Sequence, residues 1–122
     1  MMISDFIGAY AEGWTTGDAD KIVGATAPDY VFDDPNAGAI SRDAFPEYMR
    51  QLSSGLDEIR GSSWAGNFLD LTEVVIDETE EGATVWCWWE APGTDIGGSG
   101  LIKVGRDGVI SEKITYYTKL PA

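Results

Sequence analysis

The residue best placed for acid–base chemistry is Asp34, which ends the run Tyr30-Val31-Phe32-Asp33-Asp34 and stands directly before Pro35. The chain has no histidine, so proton transfer near neutral pH falls to carboxylate, tyrosine or lysine side chains. A carboxylate at the lip of an apolar cavity has its proton affinity raised, as a general base requires. Asp34 is therefore a candidate general base. The alternative is that it only accepts hydrogen bonds from the backbone of the turn that follows.

The absence of histidine also excludes Ser–His and Cys–His nucleophilic pairs and imidazole-based zinc sites. The carboxylates lack the spacing of a calcium loop, and the stretch Gly97-Gly98-Ser99-Gly100 lacks the GxGxxG pattern of a nucleotide loop. These glycines either enlarge a cavity or form a bulge at the start of a strand. We therefore predict no cofactor and no bound metal.

Tyr10 is the second candidate catalytic residue, because a phenol can donate a hydrogen bond to a ligand oxygen that gains negative charge. It lies on an apolar stripe with Phe6, Ile7 and Trp14, at the spacing of one helical face. Trp14 is a candidate wall of a ligand pocket. The alternative for both residues is ordinary core packing.

Aromatic and acidic residues also alternate on two predicted strands. On the first, the alternation puts Trp86, Trp88 and Glu90 on one face, opposite Cys87 and Trp89. Either one of these faces lines a pocket, or all three tryptophans are simply packed.

On the last strand, Glu112, Ile114 and Tyr116 share a face. If that face points inward, Glu112 and Glu90 become neighbours in one low-dielectric site, where one of the two pKa values would rise. Alternatively, at least one of the two acids lies at the solvent mouth, because an unpaired buried acid is costly.

Periodicity and turn signals predict three N-terminal helices followed mainly by strands, an α+β architecture in one domain over residues 1–122. The expected shape is a cone-shaped barrel, a curved, mixed but mostly antiparallel sheet wrapped around the helices, with a pocket at its mouth. The helices are expected over residues 4–15, 19–25 and from about 41–43 to 53. The strands are expected over residues 30–34, 68–77, 83–91, 100–105 and 109–119.

The formal net charge of −13 excludes the partners that are themselves polyanions. A nucleic-acid backbone or an anionic membrane surface would be repelled. The N-terminus lacks a basic, then apolar, signal, and no run of about 18 apolar residues occurs. We therefore expect a cytoplasmic protein whose partner is a small hydrophobic or aromatic molecule.

The order of these elements, together with Tyr10, Trp14, Gly17-Asp18, the run 30–35 and the late hairpin 104–110, resembles the SnoaL-like branch of the nuclear transport factor 2-like superfamily. The resemblance implies a cone-shaped α+β fold that pairs through its sheet as a homodimer. It also implies a range of functions, among them isomerases, cyclases, dehydratases, epoxide hydrolases and proteins without catalysis.

The sequence is most similar to the superfamily's bacterial ketosteroid isomerases at two positions. Their general base is an aspartate before a proline, which falls on Asp34, and their tyrosine donor falls on Tyr10. Their third functional group, a carboxylic acid on a later strand, falls on or beside Gly100 and is missing. The same comparison assigns the face of Trp86, Trp88 and Glu90 to the cavity and leaves Trp89, with Tyr117, for a second subunit.

Three functions follow as hypotheses. The first is an enzyme in which Asp34 removes a proton next to a carbonyl and Tyr10 stabilises the enolate, in an isomerisation or cyclisation. The second is a binding or dimeric accessory domain with the same pocket and no chemistry. The third is an interaction module that pairs through Trp89 and Tyr117.

Overall fold

The computed structural model describes residues 2–117, which form three helices and six strands. The helices are α1 (Ile3–Thr16), α2 (Ala19–Gly24) and α3 (Phe45–Arg60). The strands are β1 (Thr26–Asp34), β2 (Gly38–Ser41), β3 (Asp70–Glu78), β4 (Ala83–Glu90), β5 (Gly97–Gly105) and β6 (Gly108–Tyr117). None of the helices in this part of the chain is both long and apolar enough to span a membrane.

All six strands belong to one mixed sheet with the order β2-β1-β6-β5-β4-β3. The β1–β6 pair is parallel, and the other neighbours are antiparallel. Within residues 2–117 the edge strands β2 and β3 do not pair with each other, so the sheet stays open. Helix α1 contacts β3, β5 and β6, which places it across the inner face of the sheet. The predicted α+β cone fold is confirmed.

The first two helices begin and end close to the predicted residues because their local signals are strong. Gly17 ends α1 in a left-handed conformation, with φ at 74°, which glycine adopts without steric cost. Asp18 then caps α2, its side chain accepting a hydrogen bond from the backbone N–H of Lys21 at 3.1 Å.

Other boundaries differ from the predicted ones because tertiary contacts override local signals. Helix α3 runs on to Arg60 instead of ending near residue 53, since its next turn buries Leu56 in the core. Strand β1 begins at Thr26 and includes Pro28, whereas the predicted strand begins at residue 30. The pairing of β1 with β6 is interrupted between Thr26 and Val31, where proline has no N–H to donate. Strand β2 has no counterpart in the prediction, because only its pairing with β1 defines it.

The last strand agrees with the predicted range up to Tyr117, and residues 118–119 lie outside the described residues. The assignment of residues 1–122 to a single domain stays a prediction.

An aromatic cluster joins the helices to the sheet and forms the centre of the core. Tyr10 and Trp14 on α1 pack edge-on or tilted against Tyr30 and Phe32 on β1 and against Phe45 on α3. The ring centroids lie between 5.4 and 6.4 Å apart, within the range of favourable aromatic pairs. This cluster fixes α1 over the end of the sheet where the polar side chains converge.

Gly108 opens β6 with φ at 123°, and a Cβ added there would lie 2.7 Å from the carbonyl oxygen of Ala25. We expect Gly108→Ala to lower the free energy of unfolding by about 2 kcal/mol, because both the backbone conformation and the contact become strained. Gly55, inside α3, has no atom within 4 Å of an added Cβ. Gly55→Ala should therefore raise the free energy of unfolding by about 0.5–1 kcal/mol. Urea denaturation of both variants measures this contrast, and equal effects would contradict it.

Candidate functional site

A cavity of about 450 Å³ lies between the inner face of the sheet and helices α1 and α3. Its walls are mostly aliphatic and aromatic, with contributions from Tyr10, Trp14, Phe32, Tyr48 and Trp89. A volume of this size is typical of pockets that enclose small organic molecules.

Glu112 on β6 is the buried carboxyl group among the residues that line this cavity. It is only 6% exposed. Its Oε1 accepts a hydrogen bond of 2.6 Å from the hydroxyl of Tyr10. Within the described residues Oε2 has no protein hydrogen-bond partner. One oxygen of Glu112 is therefore held by α1 while the other is free for a ligand.

The hydroxyls of Tyr10 and Tyr30 lie 2.6 Å apart. Because Tyr10 gives its single proton to Glu112, Tyr30 must donate to Tyr10. The three groups form a chain from Tyr30 on β1 through Tyr10 on α1 to Glu112 on β6. Such a chain fixes the orientation of the carboxyl group and partly offsets the cost of burying it.

Burial shifts the protonation equilibria of this chain. Loss of hydration raises the pKa of the Glu112 carboxyl to about 7, and the hydrogen bond from Tyr10 opposes that rise. Burial and the proximity of Glu112 raise the pKa values of Tyr10 and Tyr30 well above their usual value. The tyrosines therefore stay neutral donors, whereas Glu112 exchanges its proton in the neutral pH range.

Gly100 on β5 makes the space that the Glu112 carboxyl occupies. A Cβ added to Gly100 would collide with Oε2 of Glu112 and would lie 3.3 Å from Sγ of Cys87. The position where the sequence comparison finds a missing carboxylic acid is thus filled by a carboxyl group from the neighbouring strand. Alignment by position could not reveal this, because the acid comes from β6.

Asp34 lies at the end of β1 and is also buried, with 3% of its surface exposed. Its Oδ2 accepts hydrogen bonds from Tyr48 on α3 at 2.6 Å and from Tyr116 on β6 at 2.9 Å. Its Oδ1 accepts one from the backbone N–H of Asn36 at 2.8 Å. The two tyrosines line the cavity, and Asp34 lies behind them. The turn-forming role considered for Asp34 is therefore present, together with two hydroxyl contacts that the sequence did not reveal.

The predicted orientation of β4 is wrong. Trp86 is 47% and Trp88 37% exposed, and Glu90 is exposed too. None of these three lines the cavity. Cys87 and Trp89, expected on the outer face, are buried and do line it.

The physical reason is that the large side chains of β4 lie opposite glycines of β5, which have no side chain. Trp89 pairs with Gly98, and a Cβ added to Gly98 would lie only 2.7 Å from the indole of Trp89. Cys87 pairs with Gly100 in the same way. The glycine-rich stretch thus leaves room on the inner face for the side chains of β4.

The other candidates lie where the inward face of β6 was predicted to put them. Glu112, Ile114 and Tyr116 all line the cavity, as do Tyr10 and Trp14. The structure brings Glu112 to Tyr10 and Tyr116 to Asp34, whereas Glu90 lies on the opposite face from Glu112. Their role in ligand binding stays a prediction.

Two residues of the site were missed from the sequence. The sequence predicts Tyr30 only as part of a strand and Tyr48 only as part of the third helix. Tyr30 shares its strand face with Asp34, a period-of-two signal that could have found it. No sequence signal pairs Tyr48 with Asp34, because only packing of α3 on β1 does so.

Within residues 2–117 no group of three His, Cys, Asp or Glu side chains is arranged to hold a metal ion. Burial and nearby Glu112 raise the pKa of the Cys87 thiol to about 12. The thiol is therefore protonated at neutral pH and behaves as a packing group.

A sequence profile described as the SnoaL-like domain matches residues 7–113. The chain belongs to the SnoaL-like domain family. This confirms the resemblance found in the sequence. No curated protein matches the chain significantly.

Solved structures similar to this SnoaL-like protein share its fold. A candidate ketosteroid isomerase from Parabacteroides distasonis superposes with a TM-score of 0.68 at 13% identity, covering 99% of this chain and 92% of its own. A candidate polyketide cyclase from Sinorhizobium meliloti has a TM-score of 0.64 at 16% identity, covering 91% and 94%. A protein of unknown function with a cystatin-like fold from Nostoc punctiforme has a TM-score of 0.63 at 12% identity, covering 98% and 91%. Identities this low establish the fold alone.

The raised pKa of Glu112 predicts how the stability of this SnoaL-like protein depends on pH. The folded state holds the Glu112 proton more tightly than the unfolded state does. The contribution of Glu112 to the free energy of unfolding is therefore fully present below about pH 4.5 and is lost as pH rises to about 7. The loss should amount to about 3 kcal/mol. Glu112→Gln should remove most of this dependence between pH 5 and pH 8, as measured by urea denaturation.

Glu47→Gln is the matched control, because Glu47 is exposed and its hydrogen bond with Arg50 lowers its pKa from the usual value. Its variant should keep the pH dependence of the wild type in this window. An unchanged dependence in Glu112→Gln would show that Glu112 does not titrate there.

Proposed function

We propose that this SnoaL-like protein binds a small apolar molecule in its cavity and transfers a proton at a carbon next to the ligand's carbonyl group. The observation that carries the proposal is Glu112, a buried carboxyl with a pKa near 7 and one free oxygen at the cavity wall. A group whose pKa matches the working pH is an efficient general acid or base.

In the proposed step, the Glu112 carboxylate removes a proton from the α-carbon, and the electron pair of the broken C–H bond moves to the carbonyl oxygen. Once Glu112 holds the proton, it no longer requires the hydrogen bond from Tyr10, and the single hydroxyl proton of Tyr10 is donated to the enolate oxygen instead. Return of the proton from Glu112 to a different carbon completes an isomerisation. Attack of the enolate carbon on a second carbonyl of the ligand, whose oxygen then takes the proton from Glu112, would instead complete a cyclisation.

Asp34, the base expected from the sequence, is less well placed for this step. Its oxygens already accept three hydrogen bonds, and Tyr48 and Tyr116 stand between it and the cavity. Burial and the contact with Asp34 raise the pKa values of both tyrosines, that of Tyr116 to about 12. A neutral phenol oxygen is a weak base. Asp34 is therefore proposed to position the two tyrosines at the cavity wall.

The proposal predicts different effects for the two acids. 2-Acetylnaphthalene serves as the probe, since its methyl protons exchange with deuterium through the enolate, and NMR in D₂O follows the rate. Wild-type protein should accelerate the exchange, and Glu112→Gln should lower that acceleration by at least about 100-fold. Asp34→Asn should retain most of it.

The reverse result would contradict the assignment of the base. Loss of exchange in Asp34→Asn, with exchange retained in Glu112→Gln, would return the role of base to Asp34. Circular dichroism of both variants confirms that they are folded, and calorimetry confirms that they still bind the probe.

A non-catalytic ligand-binding protein is the second candidate, favoured by the fully hydrogen-bonded state of Asp34. In that case the wild-type protein binds the probe without accelerating exchange. The same NMR experiment therefore separates the two functions.

We further propose that two copies pair through the outer face of the sheet, at a patch different from the one expected. Trp86 and Trp88 stack there, with ring centroids 6.2 Å apart, beside the exposed Val75. Acidic Glu73 lies on β3 at one side of the patch, and Lys103 and Lys113 follow on β5 and β6. A two-fold axis through the patch would bring the acidic strand of one copy to the lysines of the other. Trp89 is buried and cannot take part.

We expect Trp86→Glu to convert a dimer into a monomer, because it places a charge at the centre of an apolar contact. Sedimentation velocity at micromolar concentration measures the change. Ile59→Glu is the control, since Ile59 is 58% exposed on α3 and lies away from the patch. A wild-type protein that sediments as a monomer would refute the pairing.

A further inference from the structure

The charged residues along the cavity are acids. Among the described residues that line it, Glu112 and Asp95 carry ionisable carboxyl groups, and no lysine or arginine is present. Asp95 is exposed at the edge, whereas Glu112 is buried. A ligand inside the cavity therefore meets negative charge and no compensating cation.

The nearby cations are held elsewhere by the protein. Nη1 of Arg60 donates hydrogen bonds to the carbonyl oxygens of Phe68 and Pro92, at 3.0 and 2.9 Å. Arg42 donates to Thr26 Oγ1 at 2.8 Å and to the carbonyl oxygen of Val23 at 3.2 Å. Neither arginine is among the described residues that line the cavity, so neither guanidinium group lies against a ligand inside it.

Two indole rings add apolar surface to the cavity walls. Trp14 and Trp89 both line the cavity, but their Nε1 atoms are buried and lack a hydrogen-bond partner within the described residues. A ligand therefore meets the carbon atoms of these rings. Such a surface replaces none of the water that an ion loses on entering the cavity.

We propose that the cavity selects uncharged molecules and rejects carboxylates and other anions, with Glu112 as the residue that sets this selectivity. This inference rests on the ligand-binding part of the proposed function and does not require that the ligand be converted. The physical basis is that an anion would be stripped of water and placed beside a second negative charge in an apolar enclosure.

Two naphthalenes of nearly equal shape test the proposal. 2-Acetylnaphthalene is uncharged, and 2-naphthoate carries a carboxylate in place of the acetyl group. In isothermal titration calorimetry at pH 8, we expect 2-naphthoate to bind at least about tenfold more weakly than the ketone. Equal or tighter binding of 2-naphthoate would overturn the proposal.

Variants then assign the selectivity to its residue. Glu112→Gln keeps the size of the side chain and removes its charge. The gap between the two probes, measured as the ratio of their dissociation constants, should therefore narrow by about tenfold. Asp95→Asn removes an exposed acid and should leave the gap unchanged, because solvent screens that charge. A gap that closes in Asp95→Asn, or one that persists undiminished in a folded Glu112→Gln, would overturn the role of Glu112.

A cationic analogue completes the series. 2-Naphthylmethylammonium should bind more weakly than the ketone, because the hydration that the ammonium loses in an apolar enclosure costs more than its attraction to one buried carboxylate returns. Tighter binding of the ammonium would overturn the preference for uncharged ligands. Failure of all three probes to bind would instead refute the ligand-binding part of the proposed function, an outcome distinct from loss of charge selectivity.

Discussion

The burial of the Glu112 carboxyl against an apolar cavity is the constraint on which the site depends. A carboxyl group removed from water is unstable in its charged form unless donors surround it. Tyr10 supplies one donor and Tyr30 supports Tyr10, so the cost is offset on one oxygen only. The remaining oxygen is the part of the site that can still form a bond with a ligand. The oxygen that has no donor therefore lowers the stability of the folded state, and it is also the atom that is able to react.

Acid–tyrosine contacts also connect the layers of the fold. Tyr10 on α1 reaches Glu112 on β6, and Tyr48 on α3 reaches Asp34 on β1. Each of these two helices is thus joined to the sheet by a buried hydrogen bond to a carboxyl oxygen. When the acid is ionised, such a bond is stronger than one between neutral groups. The two ties border the same cavity, so a change in either acid affects both its shape and its polar contacts.

Side-chain size, rather than hydrophobicity, decides which face of the sheet forms the cavity. Both faces of β4 carry tryptophan, and alternation separates the two sets without telling which is inside. Glycines on β5 resolve the choice, because Gly98 and Gly100 leave space only on the inner face for Trp89 and the carboxyl of Glu112. The Trp86 and Trp88 indoles are left outside, where they form an apolar patch.

The sequence by itself determined the class of the fold, the order of its elements apart from β2, and the candidate positions on α1 and β6 that line the cavity. Helical and strand periodicities are local properties, so α1, α2 and the set of β6 residues that share one face follow from spacing. The carboxyl group beside Gly100 is different, because it comes from another strand. Cross-strand register alone places Glu112 there, and packing of α3 on β1 alone pairs Tyr48 with Asp34. Contacts between residues far apart in the chain have no local signature, so the tertiary structure decided which acid faces the cavity.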